Sequence, residues 1–190
     1  MINIFRIERQ GETGRFNESY GNLKNSNRRL LWHGSRSTNY GGILSQGLRI
    51  APPEAPVSGY MFGKGVYFAD MSSKSANYCC PFNSANMGLL LLCDVELGDP
   101  MYEQMDSNYN AGEDSKKEGK LATLGRGQTV PAGWKDAGVV HGNLRGVQMP
   151  DFAVSTARND DNAAYLMYNE YIVYDVSQVR QRYLFHVHMR

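Results

Sequence analysis

Glu170 is the residue that packing alone explains least. It opens the segment Glu-Tyr-Ile-Val-Tyr, 170–174, whose β-branched and aromatic residues read as a strand, where a carboxylate is costly unless paired or turned to a cleft. His33 ends the apolar run Arg-Leu-Leu-Trp-His and is followed at once by Gly34 and Ser35. Tyr67 and Tyr78 flank the pair Lys74-Ser75. Carboxylate, imidazole, phenol and ammonium together are equipped for proton handling and charge stabilisation. Taken singly, a strand-end histidine is more often structural and aromatics at such spacings are more often core, so Glu170 carries the sharper signal.

Other chemistries find no support. Gly59-Tyr-Met-Phe-Gly63-Lys64-Gly65 is one residue short of a phosphate loop, and Gly65 stands where a hydroxyl would bind magnesium. Gly63-Lys-Gly65 runs on into Val-Tyr-Phe, so the dinucleotide fingerprint fails as well. His33, His141, His186 and His188 have no zinc-type spacing, and no nucleophile elbow is present. Cys79, Cys80 and Cys93 give neither a disulfide framework nor a metal motif and read as free thiols in a reducing compartment.

Positioning these residues falls to short elements. Strands are expected at 2–7, 29–33, 66–69, 88–97, 170–174 and 183–189, with the nearly continuous apolar run 88–97 central and buried. Helices are expected at 38–46, with Ser37 or Thr38 as cap and Gly47 just beyond, and from Asp70 or Ser72 to about Tyr78. Residues 10–27, the proline-rich 51–59 and the polar stretch 98–138 read as irregular. Many short strands and few helices, without a βαβ rhythm, predict an α+β chain.

The 190 residues suit one domain, 1–190, with 20 Lys+Arg against 19 Asp+Glu. A net charge of +1 gives no reason to expect direct DNA or membrane-surface binding. Arg28-Arg29 and Lys116-Lys117 read as solvated pairs. No signal peptide is evident, and no apolar run is long enough to cross a bilayer.

Over residues 28–98 and 165–185 the chain closely resembles the catalytic domain of the DNA-damage poly(ADP-ribose) polymerases. The resemblance rests on Leu31-Trp-His-Gly-Ser-Arg36, Gly47-Leu-Arg-Ile-Ala-Pro52, Gly59 to Gly65, Tyr67-Phe-Ala-Asp70, Ser73-Lys-Ser-Ala-Asn-Tyr78 and Tyr168-Asn-Glu-Tyr-Ile-Val-Tyr174. It implies the ADP-ribosyltransferase fold, with two packed, mainly antiparallel sheets. It also implies a glycosyltransferase (pentosyltransferase) that cleaves the nicotinamide–ribose bond of NAD, joins ADP-ribose to protein and elongates the chain.

By the same resemblance His33, Tyr67 and Glu170 form a catalytic triad and Lys74 lies beside it. Gly34 and Ser35 would meet the nicotinamide amide, Tyr78 would stack on the ring, and Tyr67 would flank it. Asn39 and Arg49 would line the adenosine side, while Tyr60 and Ser75 complete the NAD-binding set. Glu170 would stabilise positive charge on the ribose. NAD serves as donor substrate and no metal is needed.

Implied partners are protein acceptors, including the chain itself, and nicotinamide-mimicking inhibitors; the chain is expected to be a monomer. The family setting is nuclear and belongs to the DNA damage response. The helical regulatory domain of that family finds no counterpart here, so activity without DNA is expected. Residues 101–152 depart most from the family pattern. A mono-ADP-ribosyltransferase on the same fold and a non-catalytic nucleotide-binding module are the alternatives.

Overall fold

A computed structural model describes residues 1–52, 54, 59–159 and 164–189. Two larger sheets face each other across the main core. The first has six strands: β1 (Asn3–Arg6), β2 (Arg28–Gly34), β4 (Met87–Glu96), β8 (Trp134–Asp136), β9 (Gln148–Pro150) and β13 (Val179–His188). They run in the order β1-β13-β4-β2-β9-β8, and only the β2–β9 pairing is parallel. The second holds β3 (Val66–Phe68), β5 (Tyr102–Gln104), β6 (Ala122–Gly125) and β12 (Glu170–Val173), ordered β3-β12-β6-β5. A small third sheet, β10-β7-β11, consists of β7 (Gly127–Pro131), β10 (Thr156–Arg158) and β11 (Leu166–Tyr168). This is the α+β, mainly antiparallel architecture expected, with one sheet added.

The core reflects the sequence pattern. Leu31 from β2 and Leu91, Cys93 and Val95 from β4 pack with Phe68, Tyr171 and Val173 of the second sheet, all at most 2% exposed. The run 88–97 lies centrally between β13 and β2, as its unbroken apolarity requires. Backbone bonds between Trp32 and Ala69, 2.8 and 3.0 Å, bridge the two sheets beside the site.

Helices are where expectation and structure part. Residues 10–27 are not all irregular, because α1 spans Glu12–Tyr20. Its weak apolar pattern hides what holds it. Phe16, 3% exposed, packs its ring face on the guanidinium groups of Arg28 and Arg180, and Glu12 accepts the Gln181 N–H at 2.9 Å. These are tertiary contacts that periodicity does not report.

Arg28-Arg29 is likewise not a solvated pair. Arg28 makes a two-pronged bond to the fully buried Asp94, and Arg29 lies 4.2 Å from the Trp134 ring centroid. Lys116 and Lys117 are exposed as expected.

The segment 38–46 forms a 3-10 turn, Ser37–Asn39, followed by α2 (Tyr40–Gln46), and neither Ser37 nor Thr38 caps it. Gly47 ends it at φ +88°. The next helix, α3, is only Ser72–Ala76, with Met71 at its cap position; Asp70 is committed elsewhere. The polar stretch 98–138 contains β5, β6, β7, the edge strand β8 and α4 (Ala111–Lys117), because β6 is drawn into the core by pairing with β12. Of the loop 51–59, residues 53 and 55–58 lie outside the described residues. All three cysteines are free, with Cys79 and Cys93 buried.

Asp94 accepts from Arg28 at 2.6 Å and from Arg180 at 2.7 Å, with Arg182 3.6 Å away. Removing its charge would leave those guanidinium groups uncompensated beneath α1. Asp94→Asn is expected to cost about 3–5 kcal/mol of unfolding free energy. Urea denaturation checks this, and wild-type stability would show that the arginines are not held by that carboxylate.

Candidate active site

A cleft opens where β2, β3, α3 and β12 meet, and it has two compartments. The larger, about 610 Å³, runs along α2 and is lined by Ser35, Asn39, Gln46 and Arg49 among others. The smaller, about 160 Å³, is lined by Gly34, Phe68, Lys74, Ser75, Tyr78 and Glu170. His33, Tyr60 and Tyr67 border both compartments and so mark their junction.

Each element delivers its side chain for a local reason. β2 runs antiparallel to β4, which sends Leu31 into the core and His33 along the same face toward the cleft. The His33 Nδ1 lies 2.9 Å from the Tyr67 carbonyl oxygen. A carbonyl only accepts, so Nδ1 carries the hydrogen and Nε2 keeps its lone pair. Burial pushes the His33 pKa below its ordinary 6.5, the Tyr67 carbonyl opposing that shift. His33 is therefore a neutral acceptor at pH 7.

Tyr67 is held at its far end. Its hydroxyl donates to the Gly63 carbonyl at 2.8 Å and accepts the Phe62 N–H at 2.9 Å, and burial pushes its ionisation upward. That leaves the Tyr67 ring as a fixed wall, tilted against Tyr60 at 6.1 Å between centroids.

Gly34 is required by close approach: a Cβ there would lie 1.8 Å from the Ser75 carbonyl oxygen. Its backbone and that of α3 thus form a narrow floor for the smaller compartment. Ser75, 4% exposed, donates from Oγ to the Trp32 carbonyl at 3.0 Å. Tyr78, 56% exposed, stands at the rim.

Glu170 begins β12, the strand flanked by β3 and β6, and is 6% exposed. Its Oε1 lies 2.5 Å from the Lys74 Nζ. The carboxylate is thus both paired and set at a cleft wall, which is how the strand tolerates it.

The structure brings together His33, Gly34, Tyr60, Tyr67, Lys74, Ser75, Tyr78 and Glu170. Asn39, Arg49 and Ser35 lie in the larger compartment. The Ser35 Oγ accepts from Asn39 Nδ2 at 2.9 Å and Ser35 lines the larger compartment, whereas Ser75 lines the smaller one with Gly34. Arg49 is bonded to Gln46. Among the described residues no group of three or more His, Cys, Asp or Glu is placed to hold a metal.

Sequence reasoning missed the layer behind the site. Asp70, 3% exposed, accepts from Asn169 Nδ2 and from the Tyr171 hydroxyl, both at 2.9 Å. Arg29 donates to the same hydroxyl at 2.9 Å, and Asn169 Oδ1 accepts the Gly127 N–H at 2.9 Å. Burial pushes the Asp70 pKa up to about 6, the bonds from Asn169 and Tyr171 and the charge of Arg29 pulling against it. The available signal was an amide directly before Glu170, at a position where a strand buries its side chain.

The family model for the poly(ADP-ribose) polymerase catalytic domain matches residues 1–189. Poly [ADP-ribose] polymerase 2 of Zea mays is 50% identical over 189 residues, covering 98% of this chain and 27% of the maize protein. Poly [ADP-ribose] polymerase 2 of Arabidopsis thaliana is 52% identical, covering 97% of this chain and 27% of its own length. Poly [ADP-ribose] polymerase 1 of Gallus gallus is 52% identical, with 97% and 17% covered. The chain therefore spans little more than a quarter of these plant relatives.

Two outcomes follow from this geometry. Gly34→Ala is expected to lower the unfolding free energy by about 1–3 kcal/mol, because the Ser75 backbone must retreat; unchanged stability would mean that α3 moves freely. For Asp70 the folded state keeps its proton to higher pH than the ordinary value of 3.8. The folded state binds more protons across this window, so its contribution to stability falls as pH rises from about 4 to about 6 and then levels off. Urea unfolding of wild type against Asp70→Asn over that range should show the difference shifting in favour of the variant.

Proposed function

The chain belongs to the poly(ADP-ribose) polymerase catalytic-domain family, and on that premise we propose that it transfers ADP-ribose from NAD to protein and elongates it. The observation that carries this is Glu170, buried at the wall of the smaller compartment and paired with Lys74 at 2.5 Å. Gly34, Ser75 and Tyr78 suit the nicotinamide end of NAD. The Gly34 backbone and the Ser75 hydroxyl are the polar groups within reach of a carboxamide, and Tyr78 supplies a ring face at the rim. Ser35, Asn39 and Arg49 suit the adenosine end in the larger compartment. His33 stands between them with Nε2 free to accept a ribose hydroxyl, which holds the dinucleotide bent across the junction.

Glu170 then serves the rate. Breaking the bond to nicotinamide builds positive charge on the ribose, and a carboxylate at its 2′-hydroxyl stabilises that charge more than the ground state. Nicotinamide leaves as a neutral molecule, so no residue has to protonate it. In elongation the same carboxylate accepts from the acceptor ribose hydroxyl, with Lys74 holding its other side in place.

Acceptors are proposed to be proteins, the chain itself included, in a nuclear setting taken from the family. Among the described residues no helix is long and apolar enough to cross a membrane. The near-neutral charge gives the chain no electrostatic reason to bind DNA directly.

Automodification with labelled NAD, with and without nicked DNA, tests the reading. A ladder or smear is expected in both arms, and a single band would point to transfer of one unit. Glu170→Gln is expected to spare NAD binding and to lower kcat by about 10²–10³-fold; wild-type turnover from that variant would sink the proposal.

A further inference from the structure

The structure assigns Asn169, acting through Asp70, as the positioning residue that sets the aim of Glu170. The assignment rests on the reading of Glu170 as the group that faces the reacting ribose. Asn169 precedes Glu170, and Tyr171 follows it. In extended backbone these two neighbours point to the face opposite Glu170, away from the cleft and into the protein. Both are buried, Asn169 at 7% and Tyr171 at 0% exposure. Whatever fixes them fixes the carboxylate between them.

What fixes them comes from three other segments. Asn169 uses both ends of its amide: Oδ1 accepts the Gly127 N–H of β7, and Nδ2 donates to Asp70 Oδ2, each at 2.9 Å. Asp70 follows directly on the segment that carries Tyr67 and the Trp32–Ala69 bridge. Tyr171 donates to the same Asp70 oxygen and accepts from Arg29, which lies on β2 with His33. One carboxylate oxygen therefore links the strands that bear His33, Tyr67 and Glu170.

β7 meets the chain just before Glu170 very closely. A Cβ on Gly127 would lie 2.1 Å from the Tyr168 carbonyl carbon. The Gly127 carbonyl is itself tied to Asn159 Nδ2 at 2.6 Å. The segment 168–169 is thus clamped from the small third sheet by backbone contact and from the core by the amide. Hydrophobic packing fixes strands to within a rotamer, whereas an amide bonded at both ends sets one orientation.

The test exploits the chemistry of the pair. Asn169→Asp sets a second carboxylate against Asp70 and removes the donor. The double variant N169D/D70N exchanges amide and carboxylate, so that a donor again faces an acceptor and the Gly127 N–H keeps its partner. Steady-state NAD turnover, calorimetric NAD binding and melting temperature are measured on the full 190-residue chain, with Glu170→Gln in the same series.

A misplacement of about 1 Å at the reacting centre costs about 10²-fold, and N169D is expected to lose that much kcat with KM for NAD unchanged. The double variant is expected to recover most of it. If N169D does not fold, Asn169→Ala, which removes the amide without adding charge, takes its place under the same criteria. The assignment is overturned if kcat stays at the wild-type value, if kcat and KM change together in step with the melting temperature, or if the double variant regains its melting temperature and not its kcat. Wild-type turnover from Glu170→Gln would instead overturn the reading on which the assignment rests.

Discussion

The constraint on which this structure depends is a buried carboxylate that cannot be left without donors. Asp70 is 3% exposed and is surrounded by Asn169, Tyr171 and, one step away, Arg29. An unpaired charge at that depth is expensive; the two donors that relieve it come from the chain on either side of Glu170, and Arg29 of β2 backs one of them. Satisfying Asp70 therefore fixes the relation of β2 to β12 and to the turn after β3. Only one of its oxygens is bonded, which makes the cluster costly and intolerant of displacement.

The cleft follows from that alignment. Once the two larger sheets are locked beside the Trp32–Ala69 bridge, His33 and Tyr67 stand at the border of two compartments, and Glu170 faces the smaller one. The lack of a side chain at Gly34 lets α3 close on the end of β2, which brings Ser75 and Lys74 to that compartment. The arrangement supplies a neutral imidazole acceptor, an aromatic wall and an ion-paired carboxylate. Those are the groups that the proposed stabilisation of a developing cation calls for, each held by its own contacts.

Charge is managed differently in the rest of the molecule. Asp94 gathers Arg28 and Arg180 beneath Phe16, so an ion cluster and a ring together seat α1 on the six-stranded sheet. Nothing in the spacing of residues 12–20 announces this helix, since its one fully apolar anchor is Phe16. The same holds for the polar stretch 98–138, where β6 becomes a core strand only because β12 lies beside it. Local propensity was overridden by long-range pairing in both cases.

By itself the sequence determined the class of fold, the central strand 88–97 and the identity of the chemical groups. These are carried by local signals: unbroken apolarity, β-branched residues, and a carboxylate where a strand does not want one. Residues 31–36, 59–78 and 168–174 also carried the family likeness. Only the tertiary structure decided which hydroxyl shares a compartment with Gly34, Ser75 rather than Ser35, and what Asp70 does. It alone decided that Arg28 pairs with the buried Asp94 and that 12–20 is helical. The reason is physical. A polar side chain's role is set by the partner it meets, and partners such as Asp70 and Asn169, 99 residues apart, become neighbours only when sheets pack.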